Sequence, residues 1–163
     1  MRGRLRSPDR GFTLIEVMLV LVIVGILAGS ISLGLDSLRG RDEARVAERL
    51  RRVLEATAQR ATTRGQPLAV ELLADGYRFR QLGADGNWQR LDDPPVFAER
   101  LLPADHAWGD LRRNGQTRPA PGQQLVFGQH PPEYALELRT PHGSLRYTGR
   151  PGGDVVLAEA GLP

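Results

Sequence analysis

The sequence predicts an α+β fold, one long N-terminal α-helix followed by an antiparallel β domain, on three observations. No proline falls between Pro8 and Pro67, so nothing in that interval must break a helix. Within it an uncharged apolar run, Val17–Leu35, passes into a striped amphipathic pattern from Arg41 to Thr63. After Pro67, short alternating runs recur between Gly, Pro and Asp-Gly signals, the pattern of strands joined by tight turns.

The segment before Phe12 holds Arg2, Arg4, Arg6 and Arg10 against Asp9, and so carries the whole net charge of +3. Without it, acidic and basic residues are equal in number, which gives no reason to expect a polyanionic partner. Val17–Leu35 would cover roughly 28 Å as a helix, close to the hydrocarbon thickness of a bilayer. Asp36, Arg39, Arg41, Asp42, Glu43 and Arg45 beyond it sum to zero. By the positive-inside rule the N-terminus is expected in the cytoplasm and the bulk of the chain exported. Ala28-Gly29-Ser30 resembles the cleavage site of an ordinary secretory signal, but the apolar run exceeds such a signal and continues into a helical pattern. Glu16, near the start of the run, costs on the order of 3 kcal/mol at the centre of a bilayer and requires a partner. Gly25 and Gly29 form a G-x-x-x-G spacing that lets spanning helices approach closely.

The striped segment places Val46, Leu50, Val53, Leu54, Thr57, Ala58 and Ala61 near one face. Asp42 with Arg45, and Glu48 with Arg51 and Arg52, sit at helical ion-pair spacing. One helix from about Phe12 to Arg64 would run roughly 80 Å, and Gly65 and Pro67 end it. Strands are expected over Pro67–Leu73 and Tyr77–Leu82, joined by Ala74-Asp75-Gly76, and then around Trp88 after an Asp85-Gly86 turn. Further strands are expected over Val96–Leu101, Ala107–Arg112, Gln124–Phe127, Tyr134–Arg139, Ser144–Thr148 and Asp154–Leu157. Arg113–Gly122, rich in Pro and Gly, reads as a mobile loop. Phe79, Trp88, Phe97, Trp108 and Phe127 lie in strand-like runs and read as core. There is no internal repeat and no second soluble domain.

No catalytic constellation emerges. Beyond Ser37 the only serine is Ser144, and there is no cysteine, hence neither a hydrolase nucleophile with its base nor a thiolate metal site. His106, His130 and His142 lack the spacing of a helical metal pair and are expected as exposed loop residues. Asp75, Asp85, Asp92 and Asp93 read as turn acids. No glycine-rich phosphate cradle is present, so the energy for any mechanical cycle is expected from a partner ATPase, and no cofactor and no metal are expected.

"RGFTLIEVMLVLVIVGIL" resembles the class III signal of type IV pilins and type II secretion pseudopilins: a short basic leader ending in Gly11, then Phe12, a Thr-Leu-Ile run, Glu16 and a long apolar helix. The resemblance implies cleavage by a prepilin peptidase between Gly11 and Phe12 and methylation of the new Phe12 amine. It also implies that Glu16 pairs with the amine of a neighbouring subunit in a staggered filament. "EATAQRATTRGQPLAVELLADGYRFRQLGADGNWQRL" and "LVFGQHPPEYALELRTPHGSLRYTGRPGGDVVL" resemble the H-type minor pseudopilins of type II secretion, which implies a pilin-like fold with two packed β-sheets against the exported half of the helix. The expected layout is a cleaved leader over 1–11, a transmembrane half-helix over 12–35, an exported amphipathic half over 36–64 and a periplasmic β domain over 65–163. The expected partners are the other minor pseudopilins, the major pseudopilin, the prepilin peptidase, the inner membrane and secreted substrate proteins; nucleic acid is not expected. The alternative is a minor type IV pilin of the FimT kind, acting in pilus assembly or DNA uptake. Those proteins carry a C-terminal Gly-Arg-x-Arg, of which Gly149-Arg150-Pro151-Gly152 lacks the second arginine.

Overall fold

The computed structural model describes residues 14–160, residues 26–41 by their helical backbone alone. Among the described residues a helix, α1 (Leu14–Arg64), precedes ten strands. These are β1 (Leu68–Leu72), β2 (Gly76–Leu82), β3 (Trp88–Leu91), β4 (Arg100–Leu101), β5 (Ala107–Arg113), β6 (Gln116–Pro119), β7 (Gln124–Phe127), β8 (Tyr134–Thr140), β9 (Gly143–Gly149) and β10 (Val155–Glu159). The chain divides between Asp42 and Glu43 into two compact units.

In the second unit, α1 buries Ala47, Leu50, Val53, Leu54, Thr57, Ala58 and Ala61, the three- and four-residue spacing of one helical face. Ala47 takes the place expected for Val46, which is only half-buried. Thr57 is wholly buried, and its hydroxyl is satisfied by donating to the Val53 carbonyl at 2.7 Å. Gly65, with φ of 62°, supplies the left-handed residue that stops the helix.

The strands form two sheets, ordered β3-β2-β1-β7 and β10-β9-β8-β5-β6, with β4 beside β3 on the same edge of β2. Every pairing is antiparallel, and the expected α+β architecture of a long helix with an antiparallel two-sheet domain is borne out. A single core cluster draws residues from α1 and both sheets. Phe127 of β7 meets Tyr134 of β8 edge to face at 6.0 Å. The Trp108 indole on β5 donates to the Gly76 carbonyl at the start of β2, 3.0 Å away, so the buried aromatic is satisfied as its polar atom requires.

Four local expectations are corrected. Arg113–Gly122 is not a loop throughout: β5 and β6 form a hairpin across Asn114 and Gly115, whose φ values of 51° and 74° mark a two-residue turn of the primed type. Pro119 is tolerated because β6 is an edge strand. The strand expected over Val96–Leu101 shrinks to β4, since the Pro94–Pro95 pair and an Asp93–Phe97 bridge fold the start of that segment into a turn. Gly76 is not part of the turn before β2 but the first residue of that strand, and a Cβ there would collide with the Arg100 carbonyl, so glycine serves the close approach of β4. Trp88 is only half-buried, on edge strand β3, whereas Phe79, Phe97, Trp108 and Phe127 are core as expected.

Among the described residues no helix is long and apolar enough to cross a membrane. The run expected to span, Val17–Leu35, overlaps residues whose side chains lie outside that description.

Candidate functional site

Leader residues Gly11 and Phe12 lie outside the described residues. Glu16 lies in the first turn of α1, where a carboxylate is favoured by the unpaired backbone N–H groups. It is surrounded along the helix by Leu14, Ile15 and every residue from Val17 to Val24, all exposed and together presenting a continuous apolar surface. Among the described residues no basic group pairs with Glu16. Among the described residues nothing lies within 4 Å of the position a Gly25 side chain would take. Gly29 is described by backbone alone. The first unit therefore exposes a carboxylate set in an apolar stripe, and a monomer in water leaves both unsatisfied.

The second unit is held by polar contacts of long reach. Glu43 meets Nδ1 of His142, in the β8–β9 turn, at 2.6 Å with its own side chain 16% exposed. Burial alone would raise the Glu43 carboxyl, but hydrogen bonds with Thr140 and His142 outweigh it and hold the group below its ordinary range. Glu55 accepts the backbone N–H of Val155 at 3.1 Å, and the Tyr147 hydroxyl donates to the Ala47 carbonyl at 3.3 Å. These bonds tie α1 to β9 and β10. Along the helix Glu48 takes Arg51 at 2.7 Å and Arg52 at 2.8 Å as expected, and Arg51 also bridges to Glu55 at 2.7 Å. Across the first sheet, Arg78 donates twice to Glu71, at 2.8 and 3.0 Å, and chiefly through these bonds lowers the Glu71 carboxyl.

A pH dependence follows. Glu43 and Glu71 have folded values below the ordinary 4.5, so their contribution is present above that value and is lost as pH falls through the depressed folded values. The melting temperature is expected to hold steady above about pH 5 and to fall by several degrees at about pH 3. Glu71→Gln should flatten the acid limb in a calorimetric pH series.

His130 and His142 are exposed, as expected, but His106 is not. Its ring is 5% exposed, with Nδ1 against Asp105 at 2.8 Å and Nε2 buried without a partner. Among the described residues no group of three His, Asp or Glu is arranged to hold a metal ion. Sequence reasoning missed the Glu43–His142 contact, whose partners are 99 residues apart and have no local signature.

Residues 6–32 match the family model described as the prokaryotic N-terminal methylation motif. Two relatives named type II secretion system protein H are similar to the chain: one from Aeromonas hydrophila, 29% identical over 60% of this chain and 55% of its own length, and one from Klebsiella pneumoniae, 34% identical over 64% and 55%. The chain thus spans about half the length of the relatives it matches. Two solved structures of the minor pseudopilin EpsH from Vibrio cholerae share its fold, with TM-scores of 0.55 and 0.57 at 20% and 19% identity. They cover 72% of this chain and 96% and 94% of their own. Motif, sequence relatives and fold converge, and the chain resembles the pilin and pseudopilin superfamily and, within it, the H-type minor pseudopilins of type II secretion.

Proposed function

We propose that the chain is a minor pseudopilin of the type II secretion system, a structural subunit at or near the tip of the periplasmic pseudopilus that supports protein secretion across the outer membrane. It is not an enzyme in this reading, and its mechanism is assembly. One observation carries the proposal: a methylation motif heads the same chain whose described domain has the fold of EpsH. Residues 12–35 span the inner membrane with the N-terminus cytoplasmic, and the domain from residue 36 onward lies in the periplasm. A prepilin peptidase cuts after Gly11 and methylates Phe12. The positive amine so created meets Glu16 of the adjacent subunit, while Gly25 and Gly29 let the helices close. The exposed apolar stripe and the lone carboxylate support this account, because each is satisfied only by lipid and by other subunits. The partners are the other minor pseudopilins and the major pseudopilin, with secreted proteins as cargo.

The test is mass spectrometry of the membrane-extracted protein together with a secretion assay. Phe12 is expected as the N-terminus, carrying one methyl group, and a strain lacking the gene should retain its secreted proteins in the periplasm. A mature chain starting near Ser30 would establish an ordinary signal peptide and overturn the reading.

A further inference from the structure

Beside α1 in the second unit runs a groove of about 790 Å³ whose floor is Ala44, Val53, Ala56, Pro95 and Val96. A second groove of about 280 Å³ adjoins it, floored by Val46, Leu50, Tyr77, Leu102 and Pro103. Arg49 and Arg100 line both. Leu101, between Arg100 and Leu102, stands 71% exposed at the lip.

The charges around these grooves are unbalanced. Among the described lining residues Arg49, Arg52 and Arg100 meet one carboxylate, Glu48, and Glu48 is already engaged by Arg51 and Arg52. Those two hydrogen bonds hold its carboxyl down at about 2, so it stays a committed anion. Neighbouring arginines are neutralised within the fold: Arg60 by Asp93 at 2.6 Å and Arg90 by Glu99 at 3.1 Å. Among the described residues neither Arg49 nor Arg100 forms an ion pair. Arg100 spends Nη2 on the Pro95 carbonyl at 2.9 Å, and its Nε is buried without an acceptor.

We infer that this double groove docks an acidic amphipathic segment of a protein partner, its apolar side chains on the Val53–Val96 floor and its carboxylates on Arg49 and Arg100. An apolar channel rimmed by under-neutralised guanidiniums fits such a segment on both counts: burial supplies affinity, and arginine supplies orientation through paired hydrogen bonds to carboxylates. A basic segment of the same apolar pattern is rejected by like charge. The groove's chemistry stands apart from the secretion reading, since it rests on the surface of the second unit alone.

The experiment uses the full chain in neutral-detergent micelles and a fluorescent amphipathic peptide with leucines at i, i+3, i+4 and i+7 and glutamates between them, with signal from empty micelles subtracted. Saturable binding is expected, weakened at least about tenfold when the glutamates are replaced by lysines. Arg49→Glu, an exposed position, should weaken the acidic peptide by a similar factor. Arg112→Glu on β5, an equal charge change far from the groove in the sheet order, should leave binding unchanged. Arg49→Glu must melt like the parent by circular dichroism; if it does not, Arg49→Gln replaces it. Equal binding of both peptides, no saturable binding, or equal loss in Arg112→Glu would overturn the assignment. Displacement of the acidic peptide by anionic lipid added to the micelles, dependent on Arg49, would give the groove to a lipid headgroup and overturn it as well.

Discussion

Glu16→Leu is expected to leave membrane insertion intact or improved while abolishing assembly. The substitution removes a charge from an apolar stretch, so nothing in insertion suffers. Cleavage should also survive, because the Gly11–Phe12 junction is untouched. What is lost, in the proposed pairing, is the counter-charge for the Phe12 amine of the neighbouring subunit. Breaking a buried pair from one side costs about 3–5 kcal/mol, roughly a hundredfold to several-thousandfold in subunit affinity. Cysteine crosslinking to partner pseudopilins should fall to background, and the variant should not restore secretion to a strain lacking the gene. Glu16→Asp keeps the charge with a shorter reach and should be partly defective. Normal crosslinking by Glu16→Leu would show that register is set elsewhere, and this account of the residue would fail.

Phe79→Ala should cost the β domain about 3–5 kcal/mol, the range for truncating a buried phenylalanine. Phe79 is 1% exposed and stacks edge to face with both Tyr77, at 5.8 Å between ring centres, and Phe97, at 5.4 Å. Phe97 in turn lies under the Arg60 guanidinium, 4.6 Å from the ring centre. The deletion therefore empties a site walled by rings that cannot collapse into it without giving up their own partners. Domains of this size hold only about 5–15 kcal/mol, so the loss should be plain in urea denaturation as a lowered midpoint with little change in slope. Val126→Ala, on an exposed position of β7, is the control and should shift the midpoint little.

Much of the architecture was legible because its signals are local. The stripe on α1, the Gly65 stop and the turn at Asp85-Gly86, with Gly86 at φ of 77°, each follow from a few adjacent residues. The N-terminal methylation motif was legible for the same reason, though Gly11 and Phe12, the residues proposed to carry processing, lie outside the described part of the chain. The β6 strand had its signal too: Asn114-Gly115 is a hairpin dipeptide, and the prolines and glycines around it outweigh that signal in any reading by composition. Contacts across sequence were not legible. Nothing near Glu43 announces His142, and nothing near Arg49 announces that Arg100 lies across a groove from it. His106 looks like any loop histidine until the fold tucks its ring inward.

The sheet order also sets the timing of folding. Strand β1 is enclosed by β2, its immediate successor, and by β7, with Leu68 opposite Phe127; meanwhile β6 and β8, the chain neighbours of β7, both belong to the other sheet. The polypeptide must therefore cross between sheets twice before β1 is covered on both sides. The bonds from Ala47 to Tyr147 and from Glu55 to Val155 each close loops of 100 residues. Loop closure on that scale is an entropic debt met before any long-range contact rewards it, which places folding in the millisecond-to-second range rather than the microseconds of a helical bundle. Until residue 127 is available, β1 offers an open strand edge to any similar chain nearby. A truncation ending before β7 should consequently aggregate rather than populate a stable half-domain, and the growing chain depends on its last third to cover a strand formed from its middle.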